Sequence, residues 1–262
     1  MDWDDAYANA PYIPGAEAYP DRWAAEAEAF RSKLSGVGSA ELGVAYGTSD
    51  RARFDLFTPE GASLGLCVFV HGGYWLKFHR TFWSHFAEGL LARGWTVAMP
   101  SYDLCPQVRI ADITCQIADA IEALSERVAG PIRLAGHSAG GHLVARMCVE
   151  GALPPHVFER IEHVMPISPV SDLRPLVNTS MNADFRLDEA SAKAESPALM
   201  KPLDVPVTVW VGCDERPVFL DQARWLAEAW NAAHVVEEGR HHFDVIDALK
   251  YPDSSMVRRL LS

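Results

Sequence analysis

A serine between two glycines is the pattern in this chain that most directly suggests chemistry. Residues 134–143 read LAGHSAGGHL, so Ser138 lies between Gly136 and Gly140 at the end of an apolar run. The spacing G-x-S-x-G, directly after a strand and directly before a helix, is typical of a sharp turn that presents a nucleophilic serine. The alternative is an ordinary glycine-rich turn in which the serine caps the helix.

A nucleophilic serine needs a base, and the base needs a carboxylate that orients it. Asp214 follows the apolar run VPVTVWVG (205–212), and a carboxylate at that strand end lies on the same edge of the sheet as Ser138. We therefore predict Asp214 as the acid, with its neighbour Glu215 as the competitor. A solvated acidic loop is the alternative interpretation.

Two adjacent histidines supply the candidate base. His241 and His242 follow the last predicted strand, directly after Arg240 and one residue beyond Gly239. Composition alone does not choose between them. No carboxylate or cysteine cluster with ligand spacing accompanies the pair, so no metal site is expected.

The segment HGGYW (71–75) offers an anion site after the apolar run LCVFV (66–70). Glycines let backbone N–H groups approach a tetrahedral oxyanion, and the amide of Ala139 converges from the serine turn. We expect His71 to shape this loop rather than to react. Aromatic residues follow the glycines. They either line a substrate pocket or belong to the core.

Strands and helices alternate along the chain, which predicts an α/β fold with a mostly parallel sheet covered by helices on both faces. The predicted strands lie around 42–46, 53–58, 66–70, 95–100, 132–136, 163–168, 205–212 and 234–238, and the predicted helices around 23–34, 81–93, 109–128, 139–150, 217–231 and 243–250. We expect a single domain over residues 1–262, with an N-terminal arm at 1–40. The polar segment 170–200 is the candidate for a small cap-like insertion.

Composition limits the partners. The net charge of -12 disfavours nucleic acid and anionic membranes, and 49% of the residues are apolar, which is enough for a sizeable core. The five cysteines form no CxxC pair, and the N-terminal sequence has no signal-peptide pattern. We expect a cytoplasmic protein that acts on a small molecule, with a homodimer left open.

Several segments together resemble a known family. HGGYW (71–75), YDLCP (102–106) and GHSAGGHL (136–143) are similar to the hormone-sensitive-lipase-like branch of the α/β-hydrolases, and the HGGxW form resembles kynurenine formamidase (arylformamidase). The similarity continues through ISPVSDLRPL (167–176), ESPA (195–198), VGCDERPVFLDQARWLAEAW (211–230) and HHFDVIDAL (241–249).

The resemblance implies an α/β-hydrolase fold with Ser138 as nucleophile, Asp214 as acid and His242, the histidine before a phenylalanine, as base. It implies hydrolysis of N-formyl-kynurenine to kynurenine and formate without a cofactor, a step of tryptophan catabolism. The implied oxyanion hole consists of backbone amides at Gly72, Gly73, Tyr74 and Ala139. We also name Trp75 and His137 as candidates for the substrate pocket.

Two other functions compete with this one. A general short-chain carboxylesterase would use the same residues with a different pocket. A non-catalytic binding protein on a hydrolase scaffold would usually lack one of the three catalytic residues, and the sequence offers a candidate for each.

Overall fold

An eight-stranded β-sheet forms the centre of the computed structural model, which describes residues 2–262. Met1, the first residue of the predicted N-terminal arm, lies outside the described residues. The strands are β1 (Ala40–Ala45), β2 (Arg53–Phe57), β3 (Leu66–Val70), β4 (Thr96–Pro100), β5 (Ile132–His137), β6 (Ile161–Ile167), β7 (Thr208–Gly212) and β8 (Ala233–Glu237).

Their order across the sheet is β1-β2-β4-β3-β5-β6-β7-β8. The pairs β1–β2 and β2–β4 are antiparallel, and the remaining pairs are parallel. This arrangement confirms the predicted α/β fold.

The register between central strands brings the chemically interesting loops together. β3 and β5 are buried along their whole length, as expected for strands that are apolar without alternation. They run in parallel with Val70 opposite Gly136. His71, which follows β3, and the His137–Ser138 pair at the end of β5 therefore lie side by side at the carboxyl edge of the sheet.

Helices cover both faces of the sheet, and the sheet lies between two apolar cores. They are α1 (Trp3–Tyr7), α2 (Tyr19–Gly36), α3 (Glu88–Ala92), α4 (Ile110–Arg127), α5 (Ala139–Arg146), α6 (Pro155–Phe158), α7 (Asn182–Phe185), α8 (Glu189–Ala194), α9 (Pro217–Trp230) and α10 (Ser255–Leu260). One core packs α4, α5 and α9 against the sheet, and the other packs α2, α10 and the aromatic residues of 78–86 against its opposite face.

Some predicted helix bounds were wrong. The segment predicted helical at 81–93 is mostly 3-10 helix, at Arg80–Phe82 and Ser84–Ala87, and becomes α-helical only at Glu88. The helix predicted at 139–150 ends at Arg146, and the helix predicted at 243–250 is a 3-10 helix at Val245–Lys250. Helix α10 was not predicted from the sequence.

The segment 170–200 forms short helices rather than strands. It holds the 3-10 helices Arg174–Asn178 and Pro197–Leu199 together with α7 and α8. The Trp230 indole of α9 donates to the Pro197 carbonyl at 3.0 Å, which ties the segment to the body of the domain. Its role as a cap stays a prediction. Among residues 2–262, no helix is both long and apolar enough to cross a membrane.

Candidate active site

Ser138 occupies a strained turn between β5 and α5. Its backbone φ of 56° and ψ of -116° lie where residues with a Cβ are rarely found. A Cβ at Gly136 would lie 2.2 Å from the Gly140 carbonyl oxygen, and a Cβ at Gly140 would lie 2.0 Å from the Val70 carbonyl oxygen. Both glycines are therefore required for the close approach of strand and helix that holds the serine in this conformation.

The carboxylate beside the base belongs to Glu215. Glu215 Oε2 accepts a hydrogen bond of 2.6 Å from His242 Nδ1, and the glutamate side chain is fully buried. Asp214 is exposed, and its Oδ1 accepts from the neighbouring Cys213 Sγ at 3.1 Å. The prediction of Asp214 as the orienting acid was wrong, and Glu215, named only as its competitor, holds that position.

Backbone hydrogen bonds after β7 explain which acidic residue faces inward. The Cys213 amide donates to the Glu237 carbonyl and the Asp214 amide donates to the Arg240 carbonyl, each at 2.9 Å. These bonds carry the chain through a turn against the loop after β8. Asp214 lies on the outside of that turn, and Glu215 re-enters the protein at the start of α9.

Two further groups fix the orientation of Glu215. Its Oε1 accepts a hydrogen bond from the Gly212 amide at 2.9 Å and another from the Ser168 hydroxyl. Ser168 is fully buried after β6, and its amide donates to the Trp210 carbonyl at 2.7 Å. Ser168 was not predicted from the sequence. Its position directly after a strand, on the edge that carries the other candidates, was the available signal.

The two histidines face different surroundings. His242 is buried, its ring centroid lies 4.7 Å from that of His137, and Glu215 accepts from its Nδ1. The His241 side chain instead meets the Tyr19 hydroxyl, with 3.1 Å between Nε2 and the oxygen. The geometry therefore places His242, and not His241, beside the carboxylate and the serine turn.

The hydroxyl and the imidazole remain available for substrate. Among residues 2–262, neither Ser138 Oγ nor His242 Nε2 takes part in a hydrogen bond, with each other or with another group. Catalytic hydrogen bonds of this kind are often long in the absence of substrate and tighten in the complex. The two side chains are 3% and 4% exposed, so the site is closely covered.

The loop after β3 lies against the serine turn. A Cβ at Gly72 would lie 2.9 Å from the His137 carbonyl oxygen and 3.0 Å from Ser138 Cβ. Gly73, Tyr74 and Trp75 follow with φ values of 110°, 54° and 55°. Such a run of left-handed residues turns successive amides to one side of the chain.

Backbone N–H groups are available at this loop and at the start of α5. Within the described chain, the amides of Gly72, Gly73, Tyr74 and Ala139 donate to no protein acceptor. The Ala139 amide is also one of the first N–H groups of a helix, which have no partner within that helix. An anionic oxygen above Ser138 would find donors from both elements.

His71 supports the glycine loop from below. Its Nδ1 donates to the Gly72 carbonyl at 2.7 Å, and its ring stacks on Tyr102 with 4.4 Å between centroids. The Tyr102 hydroxyl donates to the His71 carbonyl at 2.8 Å. Burial lowers the pKa of His71 to about 3, so the ring is neutral near pH 7. These contacts agree with a role in shaping the loop.

Both predicted pocket residues lie inside the protein. Trp75 is 0% exposed and packs edge-on against His142 and Phe185. The His137 ring faces the base loop, where its Nε2 donates to the His242 carbonyl at 2.9 Å. Trp75 therefore packs as part of the core and His137 joins the serine turn to the base loop, and the role of these two side chains in a substrate pocket stays a prediction.

No candidate metal centre accompanies these residues. The part of the chain that the structure describes, residues 2–262, contains no group of three or more His, Cys, Asp or Glu side chains arranged to hold an ion. The chemically competent groups are a hydroxyl, a buried imidazole–carboxylate pair and a set of unpaired amides. That combination suits nucleophilic attack on a carbonyl, with transfer of protons through the imidazole.

Comparisons with known proteins agree with the fold. A family model described as an alpha/beta hydrolase fold matches residues 67–246. Kynurenine formamidase of Drosophila melanogaster is 29% identical over 216 residues, which cover 74% of this chain and 71% of the relative. Kynurenine formamidase of Salmo salar is 25% identical over 247 residues, covering 87% and 83% of the two chains.

Solved structures also show the α/β-hydrolase fold. A protein of Silicibacter sp. TM1040, whose name proposes a thioesterase activity, superposes with a TM-score of 0.98 at 57% identity over 100% of both chains. Esterase B of Lactobacillus Rhamnosis shares the fold, with a TM-score of 0.66 at 17% identity over 90% of this chain and 92% of that one. The chain therefore belongs to the α/β-hydrolase family, in its hormone-sensitive-lipase-like branch, and resembles kynurenine formamidase.

Proposed function

We propose that the protein is a serine hydrolase that cleaves an aryl formamide, of the N-formyl-kynurenine type, or a small ester through an acyl-enzyme. The observation that carries the proposal is the convergence of Ser138, in its strained turn, with the buried pair His242–Glu215 and the unpaired amides of the glycine loop. The two kynurenine formamidases that match most of the chain support the choice of an aryl formamide.

The proposed reaction begins with attack by Ser138 Oγ on the substrate carbonyl. His242 Nε2 takes the hydroxyl proton as the Oγ–C bond forms, and Glu215 stabilises the resulting imidazolium through Nδ1. The carbonyl electron pair moves onto oxygen, which accepts hydrogen bonds from the amides of Ala139 and the glycine loop. Removing one such donor typically costs about 3 kcal/mol of transition-state stabilisation.

The tetrahedral intermediate then releases the amine or alcohol. The C–N or C–O bond breaks, and His242 gives its proton to the leaving group, which leaves a formyl or short acyl group on Ser138. Water repeats the sequence: His242 removes a proton from it, the hydroxide attacks the acyl carbon, and Ser138 recovers a proton as the acid departs. The chemistry requires no cofactor, and Glu215 remains ionised throughout.

The close cover over the site favours a small acyl group. Ser138 and His242 are 3% and 4% exposed, so an acyl chain attached to Oγ has little open space around it. Formyl is the smallest acyl group, and an anilide leaves more readily than an alkyl amine. Both features suit an aryl formamide better than a long-chain ester.

A substrate comparison tests the proposal. The purified protein is assayed with N-formyl-kynurenine, with short p-nitrophenyl esters and with a short acyl thioester, since the name of the 57% identical relative proposes a thioesterase activity. We expect the highest kcat/KM with N-formyl-kynurenine. Turnover of esters or thioesters alone would overturn the formamidase assignment and favour a general carboxylesterase or a thioesterase.

The proposal includes the kind of partner, the cellular compartment and the metabolic process. The net charge of -12 favours a free small molecule over nucleic acid or an anionic membrane as the partner. All five cysteines are unpaired, which fits a reducing compartment such as the cytoplasm. Tryptophan catabolism is the process in which a formamidase of this specificity would act.

A further inference from the structure

The first residues of the chain contact three loops of the candidate site, namely the carboxylate loop, the oxyanion loop and the base loop. We propose that the N-terminal segment, residues 2–19, is a positioning element that holds the carboxylate loop through Arg216, the oxyanion loop through Tyr74 and the base loop through His241. This inference rests on the proposed function, because it assigns a role in the same reaction.

The contact with the carboxylate loop is the most extensive. Arg216 directly follows Glu215 and donates from Nη2 to Asp5 Oδ2 at 2.8 Å and to the Asp5 carbonyl at 3.1 Å. Its guanidinium carbon also lies 3.5 Å from the centroid of the Tyr12 ring, and the Tyr12 hydroxyl donates to the Asp5 carboxylate. The residue after the catalytic carboxylate is thus held on two sides by the N-terminal segment.

The geometry of this pair favours positioning over bulk stability. The Arg216 side chain is only 20% exposed, whereas the Asp5 side chain is 50% exposed. An ion pair with a half-exposed partner contributes little to the free energy of unfolding. Because Arg216 lies between Glu215 and the first residue of α9, a fixed guanidinium restrains the backbone from which Glu215 projects.

A second contact reaches the oxyanion loop and the base. The Tyr74 hydroxyl donates to the Tyr7 carbonyl at 2.6 Å. The Tyr7 ring is 1% exposed and packs edge-on against Phe219, with 5.9 Å between centroids, and the Phe219 ring lies 4.3 Å from that of His242. Tyr7 therefore contacts the oxyanion loop directly and the base through one intervening ring.

A third contact reaches the residue before the base. The Tyr19 hydroxyl lies 3.1 Å from His241 Nε2, and the Tyr19 ring packs edge-on against Phe243 at 5.4 Å. His242 is the residue between these two. The carboxylate, oxyanion and base loops are thus each tied to the N-terminal segment at a residue whose own side chain takes no part in the proposed bond making.

The test removes the first and third contacts in the full-length protein and compares each variant with a matched control on a surface away from the site. Arg216→Gln is paired with Arg224→Gln, since Arg224 is an exposed arginine of α9 with ion pairs to Asp221 and Glu228. Tyr19→Phe is paired with Tyr251→Phe, since Tyr251 is exposed. The readouts are kcat and KM on the best substrate, the rate of fluorophosphonate labelling and the thermal midpoint.

We expect Arg216→Gln and Asp5→Ala each to lower kcat about tenfold, because small displacements of a catalytic group are costly. KM and the thermal midpoint should change little, and the labelling rate should fall with kcat. The double variant should be no slower than the slower single variant, since both remove one contact. Arg216→Lys should recover part of kcat, and both control variants should match the unsubstituted protein.

The outcomes separate this inference from the proposed function. If the unsubstituted protein hydrolyses its substrate and labels at Ser138 while Arg216→Gln and Asp5→Ala retain full kcat, the positioning role is overturned and the proposed function stands. The positioning role is also overturned if these variants lower the thermal midpoint but leave kcat of the folded fraction unchanged. If the unsubstituted protein neither hydrolyses nor labels, it is the proposed function that fails.

Discussion

Glu215 Oε2 lies 2.6 Å from His242 Nδ1, and both side chains are buried beneath the serine turn. A carboxylate in this position holds the imidazole with Nε2 available as a base and stabilises the imidazolium that forms during attack. The adjacent Asp214 points to solvent. The relationship between Glu215 and His242 therefore assigns the acid to the second of two neighbouring carboxylates.

The first prediction separates these two carboxylates. Glu215→Gln should lower kcat by about 10³–10⁴-fold, because an amide can hold the imidazole in the wrong tautomer and cannot stabilise its charge. Asp214→Asn, the matched control, should leave kcat within about twofold. Steady-state assays on the best substrate provide the measurement. A larger loss in Asp214→Asn than in Glu215→Gln would restore the sequence-based assignment.

The second prediction concerns the histidine pair. His242→Ala should reduce kcat by several powers of ten, about the loss expected when a catalytic base is removed. His241→Ala should cost less than about tenfold, since it loses the contact with Tyr19 and the hydrogen bonds from the Phe243 and Asp244 amides but leaves the His242–Glu215 pair intact. Both variants are compared by kcat at saturating substrate, with circular dichroism as a check on folding. Equal losses in the two variants would remove the distinction between them.

The sequence predicted the strand ends but not the direction of each loop side chain. Apolar runs and glycine spacing placed Ser138, Glu215 and His242 after the ends of β5, β7 and β8, because a run of apolar residues indicates a buried strand. The choice between Asp214 and Glu215 depends on the turn fixed by the amides of Cys213 and Asp214, which bond to the loop after β8. Such long-range hydrogen bonds leave no signal in local composition.

The local sequence also did not predict the surroundings of the aromatic residues. A tryptophan directly after an oxyanion loop suits a pocket wall and a core equally well, and only the packing against His142 and Phe185 decides for the core. Ser168 was missed for a related reason. A serine after a strand is common, and its bond to Glu215 spans 47 residues of sequence.

The third prediction concerns the tight approach at the serine turn. Gly140→Ala should lower the free energy of unfolding by at least about 2 kcal/mol and abolish most activity, because its Cβ would lie 2.0 Å from the Val70 carbonyl oxygen. Gly36→Ala is the control, since a Cβ there meets no atom within 4 Å. Urea denaturation compares the two. A Gly140→Ala variant with unchanged stability would contradict the described turn.

The fourth prediction follows from buried histidines. Burial lowers the pKa of His71 to about 3 and that of His142 to about 4, and it lowers the pKa of His137 well below its usual value. These folded-state values lie below the usual histidine value of 6.5, which approximates that of the unfolded chain. As the pH falls below 6.5, the unfolded chain therefore binds protons that the folded protein excludes.

The free energy of unfolding should accordingly decrease from pH 6.5 towards pH 4, by up to about 1.4 kcal/mol per pH unit for each such histidine. Above pH 6.5 these groups are neutral in both states and add no dependence. Urea denaturation at about pH 7.5, 6.0 and 5.0 measures how the free energy of unfolding changes with pH. Equal stability at pH 7.5 and 5.0 would show that these rings are accessible to protons in the folded state.

Covalent labelling of Ser138 is the most direct test of the central claim, which is that this hydroxyl is an activated nucleophile. A fluorophosphonate probe should form one stable adduct, mapped to Ser138 by peptide mass spectrometry, and should form none on Ser138→Ala. Glu215→Gln should label more slowly and Asp214→Asn at the normal rate. A correctly folded protein that remains unlabelled, or one that carries the adduct at another residue, would contradict the account.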